Sequence, residues 1–173
     1  MKSLANEIKR RIRTETSFLC GPVPFIMCAA AVALGIFFAI GGIDGEMCDE
    51  LEFPHLYVGA VPMILLYALA LAALAFSAAC AVYSPSRPRK KDGRFARALY
   101  AVDFALIYIW IPLTFKAGTF FASLILCCVG CAVSCLLFRM ICCAGRLCRV
   151  GLYIFFAWQI YLAYISAALF IIN

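Results

Sequence analysis

Residues 150–173 read VGLYIFFAWQIYLAYISAALFIIN and contain no charged side chain, yet they include Trp158, Gln159, Ser166, Asn173 and three tyrosines. A helix crosses the hydrocarbon core of a bilayer with roughly 20 mostly apolar residues, because unpaired backbone groups there cost several kcal/mol each. This stretch is long and apolar enough to do so. Its stacking and hydrogen-bonding groups therefore need partners inside the membrane.

The same criterion, applied outward along the chain, yields five spans at residues 18–42, 56–83, 98–115, 117–138 and 150–172. The composition agrees: 66% of the 173 residues are hydrophobic and 14% are charged, with a mean hydropathy of +1.01, well outside the range of soluble domains. The third and fourth spans divide at the turn TFKAG, since one continuous helix would bury Lys116 and Pro112 at mid-length. The expected fold class is an all-α integral membrane bundle of five transmembrane helices forming one domain over residues 1–173. The first apolar segment is longer than a signal-peptide core and lacks an A-x-A site, so it reads as an uncleaved helix.

Charge sets the orientation, because Lys and Arg collect in cytoplasmic loops. The amino-terminal arm holds Lys2, Lys9, Arg10, Arg11 and Arg13; the second loop Arg87, Arg89, Lys90, Lys91, Arg94 and Arg97; the fourth Arg139, Arg146 and Arg149. The first loop carries Asp44, Glu46, Asp49, Glu50 and Glu52 without a basic residue, and Lys116 is the one cation on its side. An amino terminus in the cytoplasm and a carboxyl terminus outside satisfy every loop. The net charge of +6 then reports topology and attraction to anionic membrane lipid, with no nucleic acid expected as partner.

Eleven cysteines raise redox or metal chemistry. Cys48 is the only one in an outer loop, where a disulfide would form. Ser123, Cys127, Cys131 and Cys135 recur every fourth residue, as a ridge of small side chains that lets helices approach closely. Cys142, Cys143 and Cys148 lie among arginines, where a thiolate or a metal site is conceivable. The lone His55 falls on the opposite face, so no His/Cys zinc set is completed. No intramembrane His, and no pair of nucleophile and base, supports a hydrolase or metalloprotease. No cofactor is required and no metal or catalytic residue is assigned.

Asp103 is the one acidic residue inside a predicted span. A buried carboxylate must be protonated, paired or wetted, and two readings stay open. Asp103 lies about 9 Å from the inner end of its span at the usual rise, within reach of cytoplasmic water. Alternatively it shares a helical face with Ile107 and Trp110 and lines a cleft with them. In the last span Gly151, Ile154, Trp158, Tyr161, Leu162, Ile165 and Leu169 cluster on one face, beside a stripe of Gln159, Ser166 and Asn173 suited to interhelical bonding. Trp158 and Tyr161 sit well inside the span rather than in an interfacial belt. They read either as plain core or as the wall of a pocket for a flat ligand.

Three stretches resemble the TspO family of tryptophan-rich sensory proteins, whose animal members are the translocator protein or peripheral benzodiazepine receptor, and the second span fits it less well. The family's first loop commonly reads W-Y-x-x-L-x-K-P-x-W, and MCDELEFPHL keeps Leu51 and Pro54 in register while losing the tryptophans, tyrosine and lysine. Its third span reads N-x-x-W-x-P-x-F-F. IYIWIPLTF keeps Trp110, Pro112 and Phe115, with Ile107 for the asparagine and Thr114 for the first phenylalanine. Its fifth span reads P-Y-x-x-W-x-x-F with a small or polar residue beyond and a final L-N or I-N. IFFAWQIYLAYIS keeps Trp158, sets Tyr161 for the phenylalanine and Ser166 at the polar position, and the span closes on Ile172 and Asn173. In the second span Val58 and Gly59 stand near the family's P-P, and Tyr67 where a tryptophan is usual.

The resemblance implies five helices around a pocket for a tetrapyrrole such as protoporphyrin or haem, or for another flat hydrophobic small molecule. It also implies a possible homodimer, for which Ala101 and Ala105 offer a small-residue surface, and a place in the bacterial cytoplasmic membrane. Trp110 and Trp158 would stack on the ligand. Tyr67, Ile107, Tyr161, Leu162 and Ile165 would wall it, Asp103 would be a polar anchor or a helix-packing residue, and the loop 44–55 would cover it with Pro54 fixing the entry to the second helix. Light-dependent porphyrin breakdown, reported for some members, is implied too, although the losses in the first loop count against it. The acidic loop would repel propionates. A small transporter subunit and a bundle that only binds partners are the alternatives.

Overall fold

The computed structural model describes residues 22–42, 51–83, 90–141 and 146–173, in which all regular structure is helical. The five helices are α1 (Pro22–Gly42), α2 (Ala60–Tyr83), α3 (Lys90–Phe115), α4 (Phe120–Met140) and α5 (Arg146–Ile172), each long and apolar enough to cross a membrane. The expected start of the first span at Phe18, the amino-terminal basic arm, the acids Asp44, Glu46, Asp49 and Glu50, and Cys48, Arg87, Arg89, Cys142 and Cys143 lie outside the described residues.

The helix ends differ from the hydropathy boundaries for local reasons. α3 begins at Lys90 rather than at residue 98, because lysine and arginine are good helix formers whose polar turns a hydropathy criterion cannot see. α5 likewise begins at Arg146 rather than at residue 150. α2 begins four residues later than expected, after a turn in which Tyr57 N–H donates to Pro54 O at 2.8 Å and Gly59 adopts φ 87°. That angle favours glycine. The break between α3 and α4 stands where Lys116 and Pro112 placed it: Gly118 turns the chain at φ 61°, Lys116 is exposed, and α4 starts at Phe120.

Around the bundle the helices follow the order α1, α2, α5, α4, α3, and α3 closes the ring against α1. α2 also touches α3 across the middle. Helices in lipid gain little by burying apolar surface against one another, so close packing and hydrogen bonds must hold them. Gly151 lies against backbone: a Cβ there would stand 2.7 Å from Ala73 O and 3.3 Å from Ser77 Cβ on α2. Between α1 and α2 the corresponding position is Gly35, whose added Cβ would meet the tip of the Leu71 side chain. Outside, α1 presents Phe25 and Phe37 at more than 70% exposure, a surface fit for acyl chains.

These two glycines predict opposite tolerances. Gly151→Ala meets backbone, which cannot yield without parting α2 from α5, and should cost about 1–3 kcal/mol. Gly35→Ala meets the end of a flexible leucine and should cost less than half as much. Thermal unfolding of the two variants in one detergent checks the order.

Candidate functional site: the inward face of helix 3

Tyr100, Asp103, Ile107, Trp110 and Thr114 recur along α3 at steps of three and four residues, which sets them on one helical face. All five are at most 3% exposed. Four of the five carry polar groups, and these meet partners at three levels of the bundle.

Nearest the start of α3, Ser77 of α2, Tyr100 and Cys148 of α5 form one cluster. Ser77 Oγ donates to Cys148 O at 2.8 Å, lies 2.7 Å from Tyr100 OH, and Cys148 Sγ donates to Ser77 O at 3.3 Å. The thiol considered as a metal or thiolate site is thus buried and bonded to backbone, and no group of three His, Cys, Asp or Glu side chains converges among the described residues.

At mid-depth Asp103 meets Ser134 of α4 and Gln159 of α5. Ser134 Oγ is 3.0 Å from Asp103 Oδ2 and 2.9 Å from Gln159 Oε1, and Gln159 Nε2 donates to Asp103 Oδ1 at 3.3 Å. Gly130 makes room for this ring, since a Cβ there would fall 2.6 Å from Gln159 Nε2. Asp103 is fully buried. With partners on α4 and α5 and no exposed surface, it faces the bundle, against the reading in which it touches cytoplasmic water.

Towards the other end, Trp110 Nε1 donates to Ser166 Oγ of α5 at 2.9 Å, with Cys127 Sγ 3.9 Å from the same oxygen. Thr114 Oγ1 lies 2.8 Å from Trp110 O and 2.9 Å from Ser123 Oγ of α4.

The residues expected from the sequence are distributed as follows. Trp110 and Trp158 both point inward, at 1% and 6% exposure. Trp110, Ile107 and Leu162 line a common cavity with Leu106, Leu126, Cys127 and Gln159; its volume is about 10 Å³, at most one water. Trp158, Tyr161, Ile165, Tyr67, Asp103 and Pro54 are not among its lining residues. Trp158 stacks obliquely on Tyr161, ring centres 5.3 Å apart, and Tyr161 OH donates to Leu56 O at 3.1 Å. Tyr67 is buried and donates to Ile107 O at 3.2 Å; Ile165 and Pro54 are buried as well. Segment 51–59 is tied to α5 a second time, by Glu52 N–H donating to Asn173 Oδ1 and Asn173 Nδ2 donating to Glu52 O, both at 3.1 Å. Leu51, Phe53 and Tyr57 pack against the core.

One atom is left over. Trp158 Nε1 is the only buried side-chain nitrogen or oxygen without a hydrogen-bond partner among the described residues.

Two sequence readings shift. The small-residue seam of α4 is Ser123, Cys127, Gly130, Ser134 and Leu137, while Cys135 is exposed and Cys131 half-buried. A strict step of four drifts about 40° around the helix each time, so the packing seam must insert steps of three. On α5, Ile154 is 42% exposed whereas Gln159 and Ser166 are buried. Sequence reasoning missed Ser77, Tyr100, Thr114 and Ser134. Their signal was the three-and-four spacing on α3 and a serine hidden in a run of cysteines.

Comparison with curated proteins gave no match. The profile of the TspO/MBR family matches residues 25–172, which covers all five helices but for the first turn of α1. Nearly the whole described bundle, including both indoles, falls inside that match, and the chain belongs to the TspO/MBR family.

Proposed function

We propose that this protein is a membrane receptor or carrier for a flat apolar ligand of the tetrapyrrole class, bound inside the bundle between α3 and α5 with segment 51–59 drawn over it. In the bilayer its amino terminus faces the cytoplasm. The observation that carries this reading is the unpartnered indole N–H of Trp158. A buried donor without an acceptor costs about 1–3 kcal/mol, and a ligand oxygen or ring nitrogen would recover that. Tyr161, Ile165 and Leu162 supply apolar walls around it.

The cavity beside Trp110, about 10 Å³, is far smaller than the roughly 300–1,000 Å³ of a ligand site, so a macrocycle placed there needs more room. Occupancy therefore requires α3 and α5 to part. Among the described residues the hydrogen bonds between these two helices run through side chains, Trp110 to Ser166 and Gln159 to Asp103. Side-chain bridges break without unravelling either helix. The chain contributes binding and orientation here; no residue is given a catalytic role.

With two tryptophans in the protein, each single replacement leaves one reporter. Protoporphyrin IX added in detergent should quench both indoles saturably in the native chain. In Trp158→Phe the apparent Kd read through Trp110 should rise about tenfold, equivalent to ~1.4 kcal/mol. An unchanged Kd would remove the Trp158 indole N–H from the site, and quenching that never saturates would leave a bundle without a receptor site.

Asn173→Ala and Tyr161→Phe each release one tie on segment 51–59. If that segment covers the ligand, both should speed protoporphyrin dissociation by about fivefold in stopped-flow measurements while changing association less, as is usual for contacts that retain a ligand.

A further inference from the structure

Three contacts join Asp103, Ser134 and Gln159 in a closed ring, and each needs a hydrogen. Ser134 brings one. The Gln159 amide brings hydrogens on a single nitrogen, which faces one neighbour only. If the amide is turned round, Nε2 serves Ser134 and its oxygen faces Asp103, and the count is unchanged. An ionised Asp103 has none to give. Two hydrogens would then serve three contacts, leaving two acceptor oxygens pressed together without a proton between them. At 2.9–3.0 Å the Ser134 contacts leave no room for an intervening water, and the small cavity next to Gln159 does not reach Asp103 or Ser134.

We infer that Asp103 is a proton-carrying site: its carboxyl hydrogen completes a ring with Ser134 and Gln159 that bolts α3 to α4 and α5 in the closed bundle. In this ring each member donates once and accepts once: Asp103 Oδ2–H to Ser134 Oγ, Ser134 O–H to Gln159 Oε1, and Gln159 N–H to Asp103 Oδ1. A neutral carboxyl also removes the cost of a bare charge at this depth. The apolar stretches of the surrounding helices offer Asp103 no counter-charge. Their titratable groups are tyrosines and cysteines, among them Cys131 on α4, three residues before Ser134. The site rests on its own geometry. Its link to ligand entry rests on the receptor reading above, because parting α3 from α5 breaks the Gln159 to Asp103 bond.

Infrared difference spectroscopy of the detergent-solubilised protein at neutral pH tests the proton directly. The other carboxyl side chains belong by sequence to the amino-terminal arm, the loop before α2 and the first turn of α3, so the Asp103→Asn difference isolates the band of Asp103. A protonated-carboxyl C=O band should appear in the native chain and be lost in Asp103→Asn. Asp103→Asn keeps a donor and an acceptor in place, so it should hold the native melting temperature, whereas Asp103→Ala should melt well below it. Absence of the band, or a band that survives in Asp103→Asn, overturns the proton assignment. Equal melting of the Asn and Ala variants overturns the bolt. Adding protoporphyrin IX separates the two readings: a shift of the band couples the ring to the ligand, and an unmoved band with saturable fluorescence quenching overturns that coupling while the receptor stands.

Discussion

Lipid gives two helices no reason to adhere through apolar contact, because the acyl chains they displace are as apolar as leucine. The bundle is held instead by the inward face of α3, where Tyr100, Asp103, Trp110 and Thr114 are buried among partners from α2, α4 and α5. Interhelical side-chain bonds in membranes average only about 0.6 kcal/mol each. Their weight lies in the alternative, since a polar group turned towards lipid has no water to meet. Each cluster therefore fixes the rotation of α3 as well as its distance from its neighbours.

The glycines act with those clusters rather than beside them. Gly151 brings the α5 backbone against α2 at the level of Ser77, so that the serine hydroxyl can reach Cys148 O. Gly130 clears the volume that the Gln159 amide fills. Small residues and polar residues are thus two halves of one device: the first set the separation at which the second can bond. The arrangement also explains why the cysteines of α4 divide. Cys127, next to Ser166, is buried, while Cys128 and Cys135, off that seam, face outward as ordinary lipid-facing side chains.

The five helices were legible because a membrane span announces itself through length and hydropathy, and because Lys116 and Pro112 mark a break no continuous helix would tolerate. The extra turns of α3 and α5 were hidden, since Lys90 and Arg146 read as loop to any hydropathy criterion. Trp110, Trp158 and the pair Gln159 and Ser166 stood out by rarity or spacing, and all four are buried. Ser134 did not, because a serine among small apolar residues is compatible with lipid or core. Only the position of α3 relative to α4, which is long-range information, shows that it faces a carboxyl. The fate of the Trp158 N–H was illegible for the same reason: a donor's partner is a property of the packed bundle.

The bonds that hold the bundle also set the terms on which it can admit anything. An enclosed site opens only as often as its closing contacts break, and affinity falls by the fraction of molecules that are open. Because each 1.4 kcal/mol is a factor of ten, two side-chain bridges of ordinary membrane strength would reduce affinity by about tenfold without closing the path. Backbone packing of the kind Gly151 makes with Ala73 would be a far harder barrier, and it lies between α2 and α5 at the opposite end of the bundle. The molecule thus concentrates its rigid contact where the start of α5 is anchored, and leaves reversible contacts beside Trp110 and Gln159. Parting the carboxyl-terminal halves of α3 and α5 about that anchored end is the motion this distribution favours.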